Sequence, residues 1–491
     1  VGMQEIVSQI SGLMWEPALV YLLLGTGLFF SIMTRFVQVR MFREMWRLLF
    51  SSKESERGIS SFQALAVSLS GRVGTGNIAG VAAAIGIGGP GAVFWMWVVA
   101  FLGASTAYVE STLGQIYKEE DEGQFRGGPA YYFEKALGQK WYAWLFALST
   151  IVAVGVLLPT VQSNAIGAAV ELALGGGATI ETAIGNVSTT KLITASFVVI
   201  VLGIIIFGGV KRIAHFTQIV VPVMALGYIV MSVGIIIYHF DALPGIITLI
   251  FSDAFTPMAG FGAAIGWGVK RGVYSNEAGQ GSGPHAASAA EVQHPAQQGL
   301  VQAFSVYIDT LFVCSATAFM ILITNQYYVA DLASGVSGGV LPTTIQANSP
   351  AFTQLALESV LGGFGTVFVA VALFFFAFTT LLAYYYIAET NVAYIRRSFR
   401  VPGELTIIKL VLLGSVFYGT VRTADLAWGL GDIGLGVMAG LNIVGILLLY
   451  FMGQPAIKAL KDYEEQRNAG AETYTFDPRK LGIKNADFWE N

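Results

Sequence analysis

Residues 71–80, GRVGTGNIAG, place four glycines, one arginine and one asparagine inside a stretch that is otherwise apolar. If a membrane helix unwinds around Val73–Gly76, it exposes backbone N–H and C=O groups, which hydrocarbon does not tolerate but a bound ligand can satisfy. The N–H groups that begin the resuming half-helix suit a carboxylate, and carbonyls at the end of the preceding half can hold a cation. We therefore expect residues 71–77 to be non-helical and to form a ligand site.

Close helix packing is the alternative explanation of these glycines, because Gly76-x-x-x-Gly80 fits the small-xxx-small pattern of membrane helices. Arg72 and Asn77 favour the unwound segment, since a charge near the bilayer centre usually faces the protein interior, a cavity or a partner. For Arg72 and for Arg271, pairing with an intramembrane acid explains the charge better than substrate binding does. The candidate acids are Glu110, Glu277, Asp309, Glu389, Asp425 and Asp432.

A second stretch, KRGVYSNEAG at residues 270–279, matches the first without a gap. Arginine and asparagine are scarce in apolar segments, so their matches weigh more than those of alanine and glycine. Interrupted helices at corresponding positions of two halves are typical of secondary transporters that are built from inverted repeats. The matched pairs are Arg72/Arg271, Asn77/Asn276, Ala79/Ala278 and Gly80/Gly279.

The composition indicates which elements carry these stretches. Of the 491 residues, 55% are hydrophobic and 12% are charged, whereas soluble proteins carry roughly 25% charged residues. Apolar runs long enough to cross a ~30 Å hydrocarbon core recur along the chain, which predicts an all-α polytopic membrane protein. The eleven expected transmembrane helices cover about residues 17–34, 60–87, 90–117, 141–170, 192–209, 216–239, 257–279, 299–324, 362–396, 403–421 and 431–452.

Ten spans remain when the first is set aside, and each set of five begins with one of the two matched stretches. Five spans per set give the two sets opposite orientations in the membrane. The sequence thus predicts a 5+5 inverted repeat with discontinuous first and sixth core helices plus one extra N-terminal helix. The expected domains are 1–59 (N-terminus, extra helix and loop), 60–239 (first repeat), 240–453 (second repeat) and 454–491 (tail).

The positions of lysine and arginine predict the orientation, because cytoplasmic loops carry an excess of basic residues. The opposite loops hold only Lys191 and Arg422. We therefore expect a multi-pass protein of the cell membrane with its N-terminus outside and its C-terminus in the cytoplasm. The cytoplasmic clusters would be Arg35, Arg40, Arg43, Arg47, Lys53 and Arg57, then Lys118, Arg126, Lys135 and Lys140, then Lys211 and Arg212, and finally Arg396, Arg397 and Arg400.

Enzymes and channels fit the sequence less well than a transporter. An enzyme would need a nucleophile–base or metal constellation, yet Cys314 is the only cysteine and the four histidines fall near predicted span ends or in loops. A channel would need an unbroken pore lined by polar rings, whereas polar residues cluster at the two expected breaks. The net charge of −4 gives no indication of a nucleic-acid partner. The histidines are His215, His239, His285 and His294.

Adjacent hydroxyl groups, those of Thr379 and Thr380, lie in the ninth expected span within AFTTLLAYYY. A buried threonine often hydrogen-bonds back to its own helix, and this explanation suffices for the pair by itself. Hard cations, however, take several oxygen ligands, which two hydroxyls and helix-end carbonyls would supply. Both explanations remain open on the residues alone.

The stretch GGPGAVFWMWVVAFLG at residues 88–103, with GTGNIAG and VKRGVYSNEAGQGS, closely resembles the alanine or glycine:cation symporter family. The resemblance covers nearly all the spans, and the first motif is highly specific. The family belongs to the larger group with the fold of the bacterial leucine transporter, and SGRVGTGN at 70–77 resembles that transporter's unwound first core helix. The resemblance implies uptake of small neutral amino acids, alanine and glycine, coupled to Na⁺ or H⁺ by alternating access.

The resemblance also implies roles for individual residues. Gln162 matches a family glutamine that contacts substrate from the third core helix, where the leucine transporter has a tyrosine. Tyr274 and the nearby Trp267 would narrow the pocket so that it admits a small side chain. The implied substrate residues are Thr75, Gly76, Asn77, Gln162, Tyr274 and Asn276, and the implied Na⁺ ligands are the carbonyls of Ser70 and Val73 and the hydroxyls of Thr379 and Thr380.

The most specific interpretation is therefore a secondary active symporter and not an enzyme. The alternative is an amino-acid or ion channel without cation coupling. The expected partners are a small neutral amino acid, Na⁺ as the coupling ion and the lipid bilayer, with no other cofactor and no nucleic acid.

Overall fold

The computed structural model describes residues 2–51, 58–255, 263–331 and 335–490. Helices account for most of the described residues in the first half of the chain. They are α1 (Met3–Met14), α2 (Pro17–Met33), α3 (Val37–Arg40), α4 (Phe42–Phe50), α5 (Ser61–Arg72), α6 (Ala79–Gly88), α7 (Ala92–Ile116), α8 (Pro129–Lys135), α9 (Lys140–Val152), α10 (Leu158–Leu174), α11 (Thr189–Ile206) and α12 (Gly209–Tyr238).

The second half is also helical, and π-helical turns at Ala153–Leu157 and Tyr307–Cys314 join α9 to α10 and α16 to α17. Its helices are α13 (Leu243–Ala254), α14 (Ala263–Asn276), α15 (Gly283–Ala289), α16 (Pro295–Val306), α17 (Ser315–Ile323), α18 (Ala351–Leu361), α19 (Gly363–Arg396), α20 (Glu404–Val421), α21 (Ala424–Phe451) and α22 (Pro455–Asn468). Three antiparallel hairpins connect helices: β1 (Glu119–Asp121) with β2 (Gln124–Arg126), β3 (Thr179–Thr182) with β4 (Gly185–Ser188), and β5 (Val329–Asp331) with β6 (Gly335–Ser337).

The described ranges contain eight helical segments that are long and apolar enough to cross a membrane, or nine if α1 and α2, which bend by 44°, count as one span. This confirms an all-α polytopic membrane protein. The count of eleven, the inverted repeat and the four domain ranges stay predictions, and residues 257–262 of the seventh expected span lie outside the described chain. The eight segments are α7, Lys140–Leu174, α11, α12, Pro295–Ile323, α19, α20 and α21.

The first glycine-rich stretch does interrupt a helix. A capping box, in which Ser60 and Gln63 bond to each other's backbone N–H, begins α5. The helix ends at Arg72, a single 3₁₀ turn follows at Thr75–Asn77, and α6 resumes at Ala79. The expectation that Gly71 and Arg72 are also non-helical is wrong, because the Val73 N–H still donates to the Leu69 carbonyl and completes the last turn of α5.

The second stretch also interrupts a helix. The interruption begins a few residues later than the alignment of residues 270–279 with residues 71–80 predicts. α14 continues through Asn276, and α15 begins only at Gly283. Between them Glu277, Gly279 and Gly281 have φ values of +56°, +85° and +84°, a left-handed conformation that glycine adopts without strain. α7 packs against α14 and α15, and α19 packs against α5 and α10, so surrounding helices bury both breaks.

Candidate substrate and cation site

Backbone amides of the first break bond to side-chain oxygens. The Gly74 N–H donates to Asn77 Oδ1 at 2.8 Å, and the Thr75 N–H donates to Gln162 Oε1 of α10 at 3.0 Å. These N–H groups therefore point at acceptors that a free carboxylate can replace. Thr75 and Asn77 are fully buried, so such a ligand would be shielded from water.

Carbonyl groups at the end of α5 meet one hydroxyl of α19. Thr380 Oγ1 lies 2.7 Å from the Ser70 carbonyl oxygen and 3.4 Å from that of Val73. The hydroxyl of Thr379 instead donates to its own helix, to the carbonyls of Phe375 at 2.9 Å and Phe376 at 3.0 Å. The structure thus brings three of the four expected cation ligands together, namely Ser70, Val73 and Thr380. The fourth, Thr379, is the neighbour of Thr380 in the chain, and its hydroxyl is hydrogen-bonded to backbone carbonyls of its own helix.

An aromatic wall lies next to the first break. Gln162 Nε2 donates to the Tyr274 hydroxyl at 3.2 Å, so this glutamine contacts both broken helices. The Tyr274 ring packs on that of Trp428, with 4.8 Å between ring centroids. A Cβ atom on Gly76 would lie 3.0 Å from Tyr274 Cδ1 and 3.1 Å from the Cα of Ser275. Gly76 therefore also allows α14 to pack closely against the first break, which is the alternative explanation of this glycine.

The Trp267 ring faces Arg271 and Lys270, each at 5.1 Å. The same Arg271 guanidinium also lies 4.1 Å from the ring centroid of Trp428, so it sits between Trp267 and the wall. Asn276 ends α14, and its Oδ1 accepts the Ala278 N–H at 3.0 Å. Within the described chain its buried Nδ2 has no hydrogen-bond partner. The Asn276 side chain therefore caps the backbone at the start of the second break, and its Nδ2 group can still donate a hydrogen bond.

The second break differs from the first because a resident carboxylate binds its amides. Glu110 of α7 accepts the Gly279 N–H and the Gly281 N–H, both at 3.1 Å. Asn442 of α21 donates to the same carboxylate at 2.8 Å. The amides of the second break are thus hydrogen-bonded to a side-chain carboxyl group, whereas those of the first break bond to the amide oxygens of Asn77 and Gln162.

Asp309 is a buried acid beside the first break. On the sequence alone it is only a candidate partner for an arginine. Its oxygens accept from the Asn77 amide at 2.7 Å, the Ser275 hydroxyl at 2.9 Å and the Thr310 hydroxyl at 2.7 Å. Cys314 Sγ lies 3.1 Å from Ser275 Oγ. The available signal was a lone acid in the apolar run VYIDTLF. Its neighbours become apparent only from the packing of α14 and the first break against the π-helical turn Tyr307–Cys314.

The two arginines have different partners. Arg271 pairs with Asp432 at 2.9 and 3.2 Å, and Lys270 joins the same carboxylate at 2.6 Å, so the expectation of an intramembrane acid is confirmed here. Arg72 makes no direct ion pair within the described ranges: its guanidinium donates to the Gln302 carbonyl at 3.0 Å and to Ser305 Oγ, while Glu277, Glu110 and Asp309 attract it through space. The neighbouring acids Glu110 and Glu277 instead use their oxygens on the amides and on Ser282 of the second break.

Comparison with known proteins adds evidence that is independent of this geometry. Residues 1–477 match the model of the sodium:alanine symporter family. YrbD of Bacillus subtilis is 55% identical over 99% of this chain and 98% of its own length. The sodium/proton-dependent alanine carrier protein of Bacillus sp. strain PS3 is 49% identical over 91% of this chain and 97% of its own length.

A more distant relative, the sodium/alanine symporter AgcS of Methanococcus maripaludis, is 35% identical over 95% of this chain and 99% of its own length. The match therefore extends beyond one bacterial genus and covers both broken helices. Its family members are transporters and not enzymes. On these matches, the chain belongs to the sodium:alanine symporter family.

Proposed function

We propose that this protein imports alanine and glycine together with Na⁺, by alternating access of one site at the first helix break. The observation that carries the proposal is the meeting of the Ser70 and Val73 carbonyls with the Thr380 hydroxyl on one side of the break. The Gly74 and Thr75 amides lie on the other side. Oxygen ligands suit a hard cation, and backbone amides beside a helix N-terminus suit a carboxylate that replaces the present acceptors, Asn77 Oδ1 and Gln162 Oε1.

The substrate carboxylate, in this proposal, binds at Thr75, Gly76 and Asn77. It replaces Gln162 Oε1 as the acceptor of the Thr75 N–H. The glutamine oxygen is then free to accept from the substrate ammonium group, so a single side chain can contact either end of the amino acid. Asn276, with its unused amide donor, is proposed as a further contact from the second broken helix.

Size selection follows from the aromatic wall. Tyr274 and Trp428 pack against each other beside Gly76, and we propose that this wall admits a hydrogen or a methyl group rather than a branched side chain. A pocket of this kind rejects each additional methylene by ~1–3 kcal/mol. We therefore infer that glycine and alanine are substrates and that valine and leucine are excluded.

The cation is proposed to bind Ser70, Val73 and Thr380, and Thr379 completes the ligand set if its side chain rotates. Relatives are named as dependent on sodium or on sodium and protons. Asp309, a buried carboxylate that hydrogen-bonds to Asn77 of the same break, adds negative charge near the cation. This negative charge supports a bound cation of either kind.

The membrane arrangement completes the proposal. Eleven spans, two of them the broken helices α5–α6 and α14–α15, would form two five-helix inverted repeats after one extra helix. The excess of basic residues in the loops on one side supports a cell-membrane protein with its N-terminus outside and its C-terminus in the cytoplasm.

Uptake into proteoliposomes tests this function. Labelled alanine should accumulate above its external concentration when an inward Na⁺ gradient is imposed, and glycine should compete while leucine should not. A pH gradient imposed without Na⁺ separates proton coupling from sodium coupling. Equilibration without accumulation under both gradients would contradict the symporter and support the channel alternative.

A further inference from the structure

The last residues of the described chain fold back onto the helix bundle. They lie on the end that carries Arg40, Lys118 and Lys135, which we call the basic side. The segment 476–490, here called the strap, contains the buried Phe476 and Ala486. Most of the strap lies beyond residue 477, where the family match ends. Asn485 Nδ2 donates to the Lys135 carbonyl at 2.8 Å.

Two aromatic residues of the strap cover a buried lysine. Lys118 is only 1% exposed, although lysine is almost never fully buried unless it has a partner. Its ammonium lies 4.5 Å from the ring centroids of Phe125 and Phe488 and 5.3 Å from that of Trp489. Aromatic faces attract a cation at these distances. Phe488 and Trp489 thus supply two of the three rings that keep Lys118 inside the protein.

Lys118 and its neighbour Gln115 connect the strap to the second broken helix. The Trp489 indole N–H donates to the Gln115 carbonyl at 2.9 Å. Lys118 Nζ and Gln115 Nε2 each donate to the Ala290 carbonyl at 2.9 Å. That carbonyl lies directly after α15, and both residues that donate to it are contacted by the strap, Lys118 at its ammonium group and Gln115 at its backbone carbonyl.

Ala290 also marks where the two broken helices join. It pairs with Ile59 in a parallel bridge, in which the Ile59 N–H donates to the Ala289 carbonyl at 3.1 Å and the Glu291 N–H donates to the Ile59 carbonyl at 3.0 Å. Ile59 directly precedes Ser60, the N-cap of α5. The start of one broken helix and the end of the other are therefore hydrogen-bonded together on the basic side.

We propose that the strap is a conformational latch that holds this joint closed, with Lys118 and Gln115 as the positioning residues between them. Removing the aromatic cover lets water reach the Lys118 ammonium, which then competes for its bond to Ala290. The Ile59–Ala290 bridge should open more often as a result. That this opening admits ligand to the basic side rests on the alternating access of the proposed function, whereas the bridge itself can be measured without transport.

Hydrogen–deuterium exchange of the full chain in detergent, without Na⁺ or alanine, tests the latch. The double substitution Phe488→Ala with Trp489→Ala removes the cover. We expect exchange at the Ile59 and Glu291 amides to become about tenfold faster, because local opening sets the exchange rate of such amides. Trp489→Phe, which keeps a ring but loses the N–H to Gln115, should give a smaller increase in a fully folded protein.

Trp141→Ala is the matched control, since Trp141 is 65% exposed and its ring contacts Tyr142 and Gln139 of its own helix start. It should leave exchange at both bridge amides unchanged. Faster exchange in the strap with unchanged exchange at Ile59 and Glu291 would overturn the latch. So would unprotected strap amides in the unsubstituted protein. Either result is independent of alanine uptake, so failure of the latch and failure of the proposed function remain distinguishable.

Discussion

The Thr380 hydroxyl lies 2.7 Å from the Ser70 carbonyl as well as 3.0 Å from the Phe376 carbonyl of its own helix, whereas the hydrogen bonds of the Thr379 hydroxyl to carbonyls are with its own helix, to Phe375 and Phe376. Consecutive residues of a helix point about 100° apart. α19 therefore presents only one of the two adjacent hydroxyls to the end of α5. The two threonines should differ in how strongly they affect cation coupling.

Thr380→Val is expected to weaken the apparent affinity for Na⁺, because it removes a ligand oxygen beside two carbonyls at nearly constant volume. A lost buried partner costs about 1–3 kcal/mol, which is roughly 5- to 150-fold in the Na⁺ concentration needed for half-maximal uptake. Thr379→Val should shift it less, and Thr380→Ser, which keeps the hydroxyl, should stay close to the unsubstituted protein. Unchanged Na⁺ dependence in Thr380→Val would remove this residue from the cation site.

Tyr274→Ala is expected to admit valine and leucine, because it deletes one of the two rings of the aromatic wall. Competition against labelled alanine uptake measures this. Alanine itself should bind only modestly more weakly, by ~1–3 kcal/mol at most. Tyr274→Phe keeps the ring and loses only the bond to Gln162, so it should still exclude leucine. A folded Tyr274→Ala protein that excludes leucine would show that the size limit lies elsewhere.

Gly76→Ala is expected to separate the two broken helices. Its Cβ would lie 3.0 Å from Tyr274 Cδ1 and 3.1 Å from a Ser275 backbone atom, and overpacking of this kind destabilises by about 1–3 kcal/mol. Alanine should then no longer raise the unfolding temperature, because the amides that bind it have moved. Gly80→Ala is the control, since its nearest new contact, Trp428, is at 3.5 Å. Full stabilisation of Gly76→Ala by alanine would leave close packing as the only role of Gly76.

His294 is expected to make the attachment of α22 sensitive to pH. Its Nδ1 accepts the Ala296 N–H at 3.1 Å and its Nε2 donates to Asp462 of α22 at 2.9 Å, a pattern that requires the neutral ring. Burial lowers the pKa of His294, and the bond to Asp462 opposes this only in part. Protonation of His294 is therefore disfavoured while α22 is attached to it through Asp462. The contribution of His294 to this attachment is present above about pH 6.5 and decreases as the pH falls below that value.

Limited proteolysis of α22 at about pH 7.5 and about pH 5.5, roughly one unit either side of the usual histidine pKa, measures this effect. Cleavage should be faster at the lower pH. His294→Gln should remove most of the pH difference, while His215→Gln, at an exposed histidine, should retain it. Equal cleavage at both pH values in the unsubstituted protein would contradict the prediction.

The position of the first break could be predicted from the sequence because glycine and asparagine are poor helix formers wherever they occur. Its start was placed two residues early, since the backbone bond from Val73 to Leu69 depends on how α5 ends and not on residue type. The acid partner of Arg271 was expected without being identified. Asp432 is 161 residues away along the chain, and no local pattern measures such a separation.

The sequence by itself determined the class of protein, the two interrupted helices and the family, because hydrophobic length, helix propensity and motif spacing are local properties of the chain. Only the tertiary structure decided which groups meet at the breaks. It brought Glu110 into hydrogen bonds with amides of the second break and Gln162 into a hydrogen bond with an amide of the first. It also placed the hydroxyl of Thr380, rather than that of Thr379, against the Ser70 carbonyl. Contacts of this kind arise when helices distant in sequence pack together, and the rotation of each helix about its axis then selects which side chain faces the site.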